Sequence, residues 1–546
     1  MNGLMMDMPL LISSILKHAA RHHGDVEIVS RRVEGDIHRT NYRALEQRSR
    51  QMASALAHAG VGHGERVGTL AWNSYRHMEL YYAVGGMGSV IHTINPRLHP
   101  EQIAWIVNHA EDKYLAFDLT FLPLIKAIAP HCPNVQGWIA MCDEAAHPAD
   151  SGIEKLINYE ALIASGDDKF VWPTFPEESA VALCYTSGTT GNPKGALYAH
   201  RSTVLHAYAA ALPDAMGASA RDCILPVVPM FHVNAWGIPY VAPMVGAKLV
   251  FPGPNLDGKS VHDLFEQEGV TYSAGVPTVW LGLLAHVQQN KLKFSKLTRT
   301  VIGGSACPPA MIKSFRDLGV DVIHAWGMTE LSPLGTLSRL QLRHEGADDD
   351  TQMRVFEKQG HVVYGVDMKI VDDEGAELPW DGTTYGNLLV RGPWVIREYF
   401  KGEGGDPLQL DADGDGWFPT GDVATIDEHG YMQITDRSKD VIKSGGEWIS
   451  SIDLENLAIS HPAIANAAVI GVAHPKWDER PLLIVKLKEG ESIERDELLK
   501  FYEGKVAKFW MPDDVQFVDD IPLGATGKIL KTKLREQFND YTLPTA

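Results

Sequence analysis

The sequence predicts an α/β protein with a large N-terminal domain of layered, mostly parallel sheets and a small C-terminal α+β domain. Three observations predict this. Over the first three quarters of the chain, helix-spaced apolar segments alternate with short apolar runs, the rhythm of βαβ units. After about residue 355 the pattern becomes strand-rich with turns. A polar, charged segment, Thr435-Asp-Arg-Ser-Lys-Asp440, then precedes a fresh α/β pattern that continues to residue 546. A chain of this length is also too long for one compact core. The expected division is therefore 1–436, a hinge at 437–441, and 442–546.

The elements follow in order. Residues 1–20 (MNGLMMDMPLLISSILKHAA) read as an amphipathic helix, without the basic start and small-residue cleavage site of a signal peptide. Residues 42–60 have helical spacing and 66–71 form a strand; 107–110 lead into the apolar run 114–117. Residues 181–184 are a strand that ends in YTSGTTGNPKG (185–195), and 196–199 read as a returning strand. Further on, 298–302 are a strand, 309–318 a helix and 320–324 the next strand, with 388–390 and 431–434 as strands of the later region. In parallel sheets ligands settle beyond the C-terminal strand ends. YTSGTTG, Gly303-Gly-Ser-Ala306 and Ala325-Trp-Gly-Met-Thr-Glu330 each follow a strand, so all three are placed to face one crevice.

Composition narrows the class. Hydrophobic content of 45% and charged content of 22% are ordinary for a soluble globular protein. A net charge of −20 argues against a nucleic-acid surface, which needs an excess of Lys and Arg, but not against a local site for a small anion. Cys132, Cys142, Cys184, Cys223 and Cys307 are odd in number and lack CxxC spacing, which suggests reduced thiols in a cytosol. No apolar run approaches the ~20 residues of a membrane span. A cytoplasmic protein is expected.

The loop at 185–195 crowds glycines, hydroxyls and a lysine behind a strand, a composition suited to cradling phosphate. It is not the P-loop: Pro193 precedes Lys194 and Gly195 follows it, where that motif needs Gly and then Ser or Thr. Residues 411–422 (DADGDGWFPTGD) nearly match an EF-hand calcium loop, but Asp422 replaces the bidentate Glu, Pro419 interrupts the loop and the flanks read as strands. A solvated acidic turn accounts for Asp411 to Asp415.

Five stretches carry a resemblance. YTSGTTGNPKG, AWGMTE (325–330), GWFPTGD (416–422), DRSKDVIKSGGEWIS (436–450) and GATGKILK (524–531) resemble, in order, the signature motifs of the adenylate-forming enzymes. This superfamily includes acyl-CoA synthetases, beetle luciferases and peptide-synthetase adenylation domains. The resemblance implies that ATP converts a carboxylic acid into an acyl-adenylate with release of pyrophosphate, and that a thiol then displaces AMP. It further implies that Thr186, Ser187, Gly188, Thr189, Thr190, Gly191 and Lys194 hold the β- and γ-phosphates. Thr329 would touch the α-phosphate, and Glu330 would hold Mg²⁺. Gly303, Gly304 and Ser305 with His324, Ala325, Trp326, Gly327 and Met328 would form the adenine wall. Asp422 would accept hydrogen bonds from both ribose hydroxyls, with Arg437 as a second ribose contact.

By the same resemblance Lys528 is the catalytic lysine, carried on a mobile C-terminal domain that rotates after adenylation. Lys439 takes the hinge position, and Lys443, Gly445, Gly446, Glu447 and Trp448 form the face that meets CoA. His232 and Trp236, with Gly303 and Trp326, would line the acyl pocket, and their bulk suggests a short or medium chain. The overall look is similar to medium-chain fatty-acid–CoA ligases and to bacterial ligases for 3-methylmercaptopropionate. Expected partners are ATP, a carboxylic acid and CoA, and a homodimer is compatible with the family. Rival readings are a medium-chain ligase of general fatty-acid metabolism, a ligase that loads a carrier protein, a luciferase-like oxygenase, and a nucleotide-binding regulator without catalysis. No fused carrier domain is seen, which favours free CoA, and the presence of Lys528 and Glu330 speaks against the regulator.

Overall fold

The computed structural model describes residue 1 and residues 3–186, 192–444, 447–524 and 528–546; for Glu447 and Trp448 it describes the backbone alone. Among these residues four sheets form. One has seven strands in the order 156–158, 137–140, 112–117, 66–70, 90–93, 180–185 and 195–199. Every neighbour in it is parallel except the last pair. The second has nine strands in the order 361–362, 334–337, 321–327, 299–302, 272–275, 223–226, 248–251, 27–31 and 37–41. Its centre is parallel and its edges are antiparallel. Two of these reversals, between 27–31 and 37–41 and between 321–327 and 334–337, turn through short loops, whereas a parallel partner needs a crossover of a dozen residues or more.

The sequence elements appear close to their expected bounds. The helix Tyr42–His58 starts where the Asn41 side chain accepts from the Ala44 N–H at 2.9 Å, a cap that satisfies one of the first free amides. The strand Arg66–Leu70, helix Pro309–Asp317 and strand Asp321–Gly327 follow the predicted pattern. The N-terminal helix is shorter than expected, Ile12–His22, and buries Ile12, Ile15, Leu16 and Ala19 at helical spacing. Before it, Leu4, Met5, Met6 and Met8 are exposed.

A third, antiparallel sheet holds strands 367–371, 385–391, 416–426 and 409–410, with 432–437 paired to 416–426. In its register Asp422 lies opposite Arg437. The chain then turns sharply: the amides of Asp440 and Val441 both bond the Arg437 carbonyl, at 2.8 and 2.9 Å. The next strand, Ile442–Ser444, already belongs to the fourth sheet, with 447–449, 464–474, 478–487 and 514–517. That sheet has an apolar core of its own, including Ile442, Leu454, Leu483 and Tyr502.

The acidic stretch at 411–415 is a turn. Asp411 accepts from the amides of Asp413 and Asp415 at 3.1 and 2.9 Å, and from Trp417 Nε1 at 2.7 Å. Its carboxylate is thus engaged by protein donors, as the acidic-turn reading expects. All five cysteines are buried and free. Among the described residues no helix is long and apolar enough to cross a membrane.

Candidate active site

The strand Ala180–Tyr185 delivers Thr186, whose amide bonds the Lys194 carbonyl at 2.8 Å. Ser187, Gly188, Thr189, Thr190 and Gly191 lie outside the described residues. The Lys194 ammonium stands 5.0 Å from the centre of the Tyr399 ring. Tyr399 in turn donates its hydroxyl to Glu330 Oε1 at 2.8 Å. On the returning strand Gly195–Ala199, Tyr198 donates to the Thr329 carbonyl at 2.6 Å. Two tyrosines that sequence reasoning passed over therefore tie Lys194 and the strand Gly195–Ala199 to the Thr329–Glu330 turn. Neither Tyr198 in an apolar strand nor Tyr399 in a loop carries a signal that separates such a role from plain packing.

Thr329 and Glu330 are each 7% exposed. Burial pushes the Glu330 carboxyl up, while the Tyr399 hydroxyl and the more distant Arg437 and Lys528 cations pull it back. A carboxyl so placed is short of positive charge. Beside it, buried Asp422 accepts from Trp326 Nε1 at 2.8 Å and pairs with Arg437 Nε at 2.7 Å. Asp422, Arg437 and Trp326 therefore form one cluster, drawn from two different sheets.

The glycines behind this cluster are required by space. A Cβ on Gly303 would come 2.9 Å from the Ala325 carbonyl oxygen and 3.4 Å from the Trp236 ring. Gly304 has φ +84°, a left-handed conformation open to glycine at little cost. Ser305 is exposed, and Ala325, Gly327 and Met328 are half-buried. The His324 ring is engaged on two sides. Its Nδ1 donates to the Glu357 carbonyl at 3.0 Å, and its Nε2 accepts from the Cys307 amide at 3.3 Å. Burial holds the ring neutral, with its pKa pushed down to about 4.

Next to the glycines lies a cavity of about 60 Å³, bordered among others by Trp72, Phe231, His232, Trp236, Val276 and Lys528. Burial, followed by the Lys528 and Arg97 charges, lowers His232 to about 4, so the cavity wall carries a neutral imidazole. Trp236 closes a run of four non-glycine residues with positive φ: Val233 (45°), Asn234 (51°), Ala235 (47°) and Trp236 (57°). Such backbone is strained and persists where its surroundings over-determine it. Asn234 supplies the anchor, accepting from the Cys184 thiol at 3.4 Å, with the Tyr81 hydroxyl 3.1 Å from its Oδ1 and also donating to the Met230 carbonyl at 2.5 Å. Trp326, expected at the acyl pocket, does not border the cavity, because its indole is held on Asp422. Gly303 meets the cavity only through Trp236. Trp72 and Arg97, which also border it, carry no sequence signal that marks them.

Lys528 keeps an exposed surface yet reaches into this cavity. The surrounding protein and then the Arg437 charge push its ammonium down to about 8, while Asp422 and Glu330 pull it up. The lysine thus stands at this cavity and within electrostatic reach of the Asp422 and Glu330 carboxylates. Lys439 and Lys443 are both exposed, and the Lys443 amide bonds Glu479 Oε2 at 3.0 Å. Gly445 and Gly446 lie outside the described residues, as do the side chains of Glu447 and Trp448.

Two family models match the chain: AMP-binding enzyme over residues 16–400, and AMP-binding enzyme C-terminal domain over residues 453–528. The chain is 54% identical to the 3-methylmercaptopropionyl-CoA ligase of Ruegeria lacuscaerulensis over 541 residues, covering 99% of both chains. It is 52% identical to the medium-chain-fatty-acid–CoA ligase of Ectopseudomonas oleovorans, covering 100% of this chain and 98% of that one. Among solved structures it is similar to the anthranilate CoA ligase AuaEII in complex with anthranoyl-AMP, with TM-score 0.86, 25% identity and 98% of each chain covered.

Proposed function

Because the chain belongs to the AMP-binding enzyme family, we propose that it activates a short acid, with 3-methylmercaptopropionate the leading candidate and Lys528 as the group that drives adenylation. The enzyme joins a carboxylic acid to CoA through an acyl-adenylate, using ATP. In the first half-reaction an oxygen of the acid attacks the α-phosphorus of ATP, the bond to the β-phosphate breaks, and pyrophosphate leaves with the electron pair. In the second, the CoA sulfur attacks the acyl carbonyl, the bond to AMP breaks, and the thiol proton passes to solvent.

The observation that carries the assignment is the position of Lys528, at the acid cavity and within electrostatic reach of Asp422 and Glu330. Two anions must meet in the first step, and a cation preorganised between them lowers that barrier. In this reading Asp422 and Arg437 take the ribose, Thr329 the α-phosphate, and Thr186 with Lys194 the outer phosphates. Magnesium belongs to it as well. A hard cation bound with nucleotide uses one or two carboxylates plus phosphate oxygens, and buried Glu330, short of positive charge, fits that donor set. When bound, the ion would neutralise triphosphate charge. Lys439 is the proposed hinge, and Lys443 to Trp448 the face presented to CoA.

Cavity size favours the shorter acid. The cavity of about 60 Å³ is small and is bordered by the rings of Trp72, Phe231 and Trp236, a shape that suits a short tail such as CH₃–S–CH₂–CH₂ better than a decanoate tail. The test is a product analysis over acids from acetate to decanoate with 3-methylmercaptopropionate included. AMP and pyrophosphate are expected, fastest with short tails; ADP and phosphate would end the reading.

A pH dependence follows from the same lysine. The ammonium is the working form, and its pKa is lowered to about 8. Adenylation should therefore be full below pH 8 and fall about tenfold per unit above it, in the kcat/KM profile that reports the free enzyme. Thioester formation from supplied acyl-adenylate should lack that limb. Lys528→Arg should move it beyond the measurable range, and an unshifted limb in this variant would assign it to another group.

A further inference from the structure

Behind the acyl cavity lies a second, much smaller one of about 10 Å³, bordered by Arg31, Arg32, Glu34, Arg76 and Asp118. Trp72 and Gly253 border both cavities, so the two lie back to back across this pair. We propose that Trp72 is the floor that sets the acyl length, and that the polar cell behind it rejects tails long enough to pass. The inference rests on the acid–CoA ligase reading above and names the residue that decides which acids that site accepts.

Three features fix the floor. The Trp72 amide donates to Asp118 Oδ2 at 2.7 Å. Its ring packs on Phe121 at 5.0 Å between centres and meets Phe231, a wall of the acyl cavity, edge-on at 6.0 Å. Gly253, with φ +64°, brings its backbone so close to Arg31 that a Cβ there would lie 2.4 Å from the Arg31 carbonyl oxygen, which packs the chain tightly beside the floor.

The cell behind is chemically hostile to a hydrocarbon. Trp72 Nε1, Arg31 Nη1 and Glu34 Oε2 are buried side-chain atoms without a hydrogen-bond partner, and all three belong to residues that border the small cavity. Its volume suits about one water, which three such partners would satisfy. An apolar tail that displaced the indole would reach these groups and exclude that water. Stranding a buried donor or acceptor costs more than burying one further methylene returns. Short tails stop at the ring and are not penalised.

The experiment measures kcat/KM for AMP formation across straight-chain acids from butyrate to dodecanoate in the full-length enzyme and in Trp72→Ala, Trp72→Leu and Trp72→Phe. In the Ala and Leu variants the space vacated by the indole, which lies ahead of the polar cell, should raise the octanoate-to-butyrate ratio by about tenfold or more, mainly through KM for the longer acid, whereas dodecanoate, long enough to reach the cell, should gain less; either variant suffices if the other does not fold. Trp72→Phe, which keeps a ring at the floor, should stay close to the parent ratio. An unchanged ratio in Trp72→Ala or Trp72→Leu, with AMP still formed from butyrate, overturns the floor while leaving the ligase reading intact. A Phe variant as permissive as the Ala variant also overturns it. Absence of AMP from every acid in the parent enzyme would instead overturn the ligase reading.

Discussion

Lys528→Ala is expected to lose adenylate formation by about 10²–10³-fold, the range for removing one preorganised donor at a developing charge. The same variant should form thioester from supplied acyl-adenylate and CoA at nearly the parent rate. The two half-reactions separate because the lysine faces the acid cavity and the Asp422 and Glu330 carboxylates, where charge is concentrated only during the first step. Pyrophosphate exchange reads the first half and release of AMP from synthetic adenylate reads the second. Equal loss in both would remove Lys528 from its assigned role.

Asp422→Ala should weaken ATP capture more than any other change on the nucleotide side. Asp422 is 3% exposed and holds two donors, Trp326 Nε1 and Arg437 Nε. Losing hydrogen bonds from the ribose hydroxyls to a charged acceptor costs about 1.5–3 kcal/mol, roughly 10- to 150-fold in KM for ATP. Trp326 gives an independent readout, because its indole N–H loses its acceptor and tryptophan emission should shift. An ATP KM within a factor of about two of the parent would exclude the ribose role.

Much of this arrangement was legible in the sequence. Parallel strands announce themselves as short apolar runs between helix-spaced segments, and the strands 66–70, 299–302 and 321–327 sit where those runs placed them. The family was legible because five motifs occur in order along one chain. The contacts that assemble the site were not. Tyr399 reaches Glu330 from 69 residues away and Tyr198 reaches Thr329 from 131, and no local spacing encodes such pairs. The partners of His324 were equally hidden: both ring nitrogens are engaged by residues distant in sequence. The acyl floor escaped notice for the same reason, since a Trp beside a strand end reads as ordinary core until its two neighbouring cavities are seen.

The left-handed turn at 233–236 links two substrates through one foundation. Its anchor, Asn234, is gripped by Tyr81 from a helix on one side and by Cys184, the penultimate residue of the strand that feeds the phosphate loop, on the other. A wound spring keeps its shape only while its clamps hold, so loosening either clamp should let Trp236 swing and blur the choice of acid. Tyr81→Phe, a change outside the cavity lining, is then expected to alter acid preference, read as the ratio of kcat/KM for AMP formation between short and long acids.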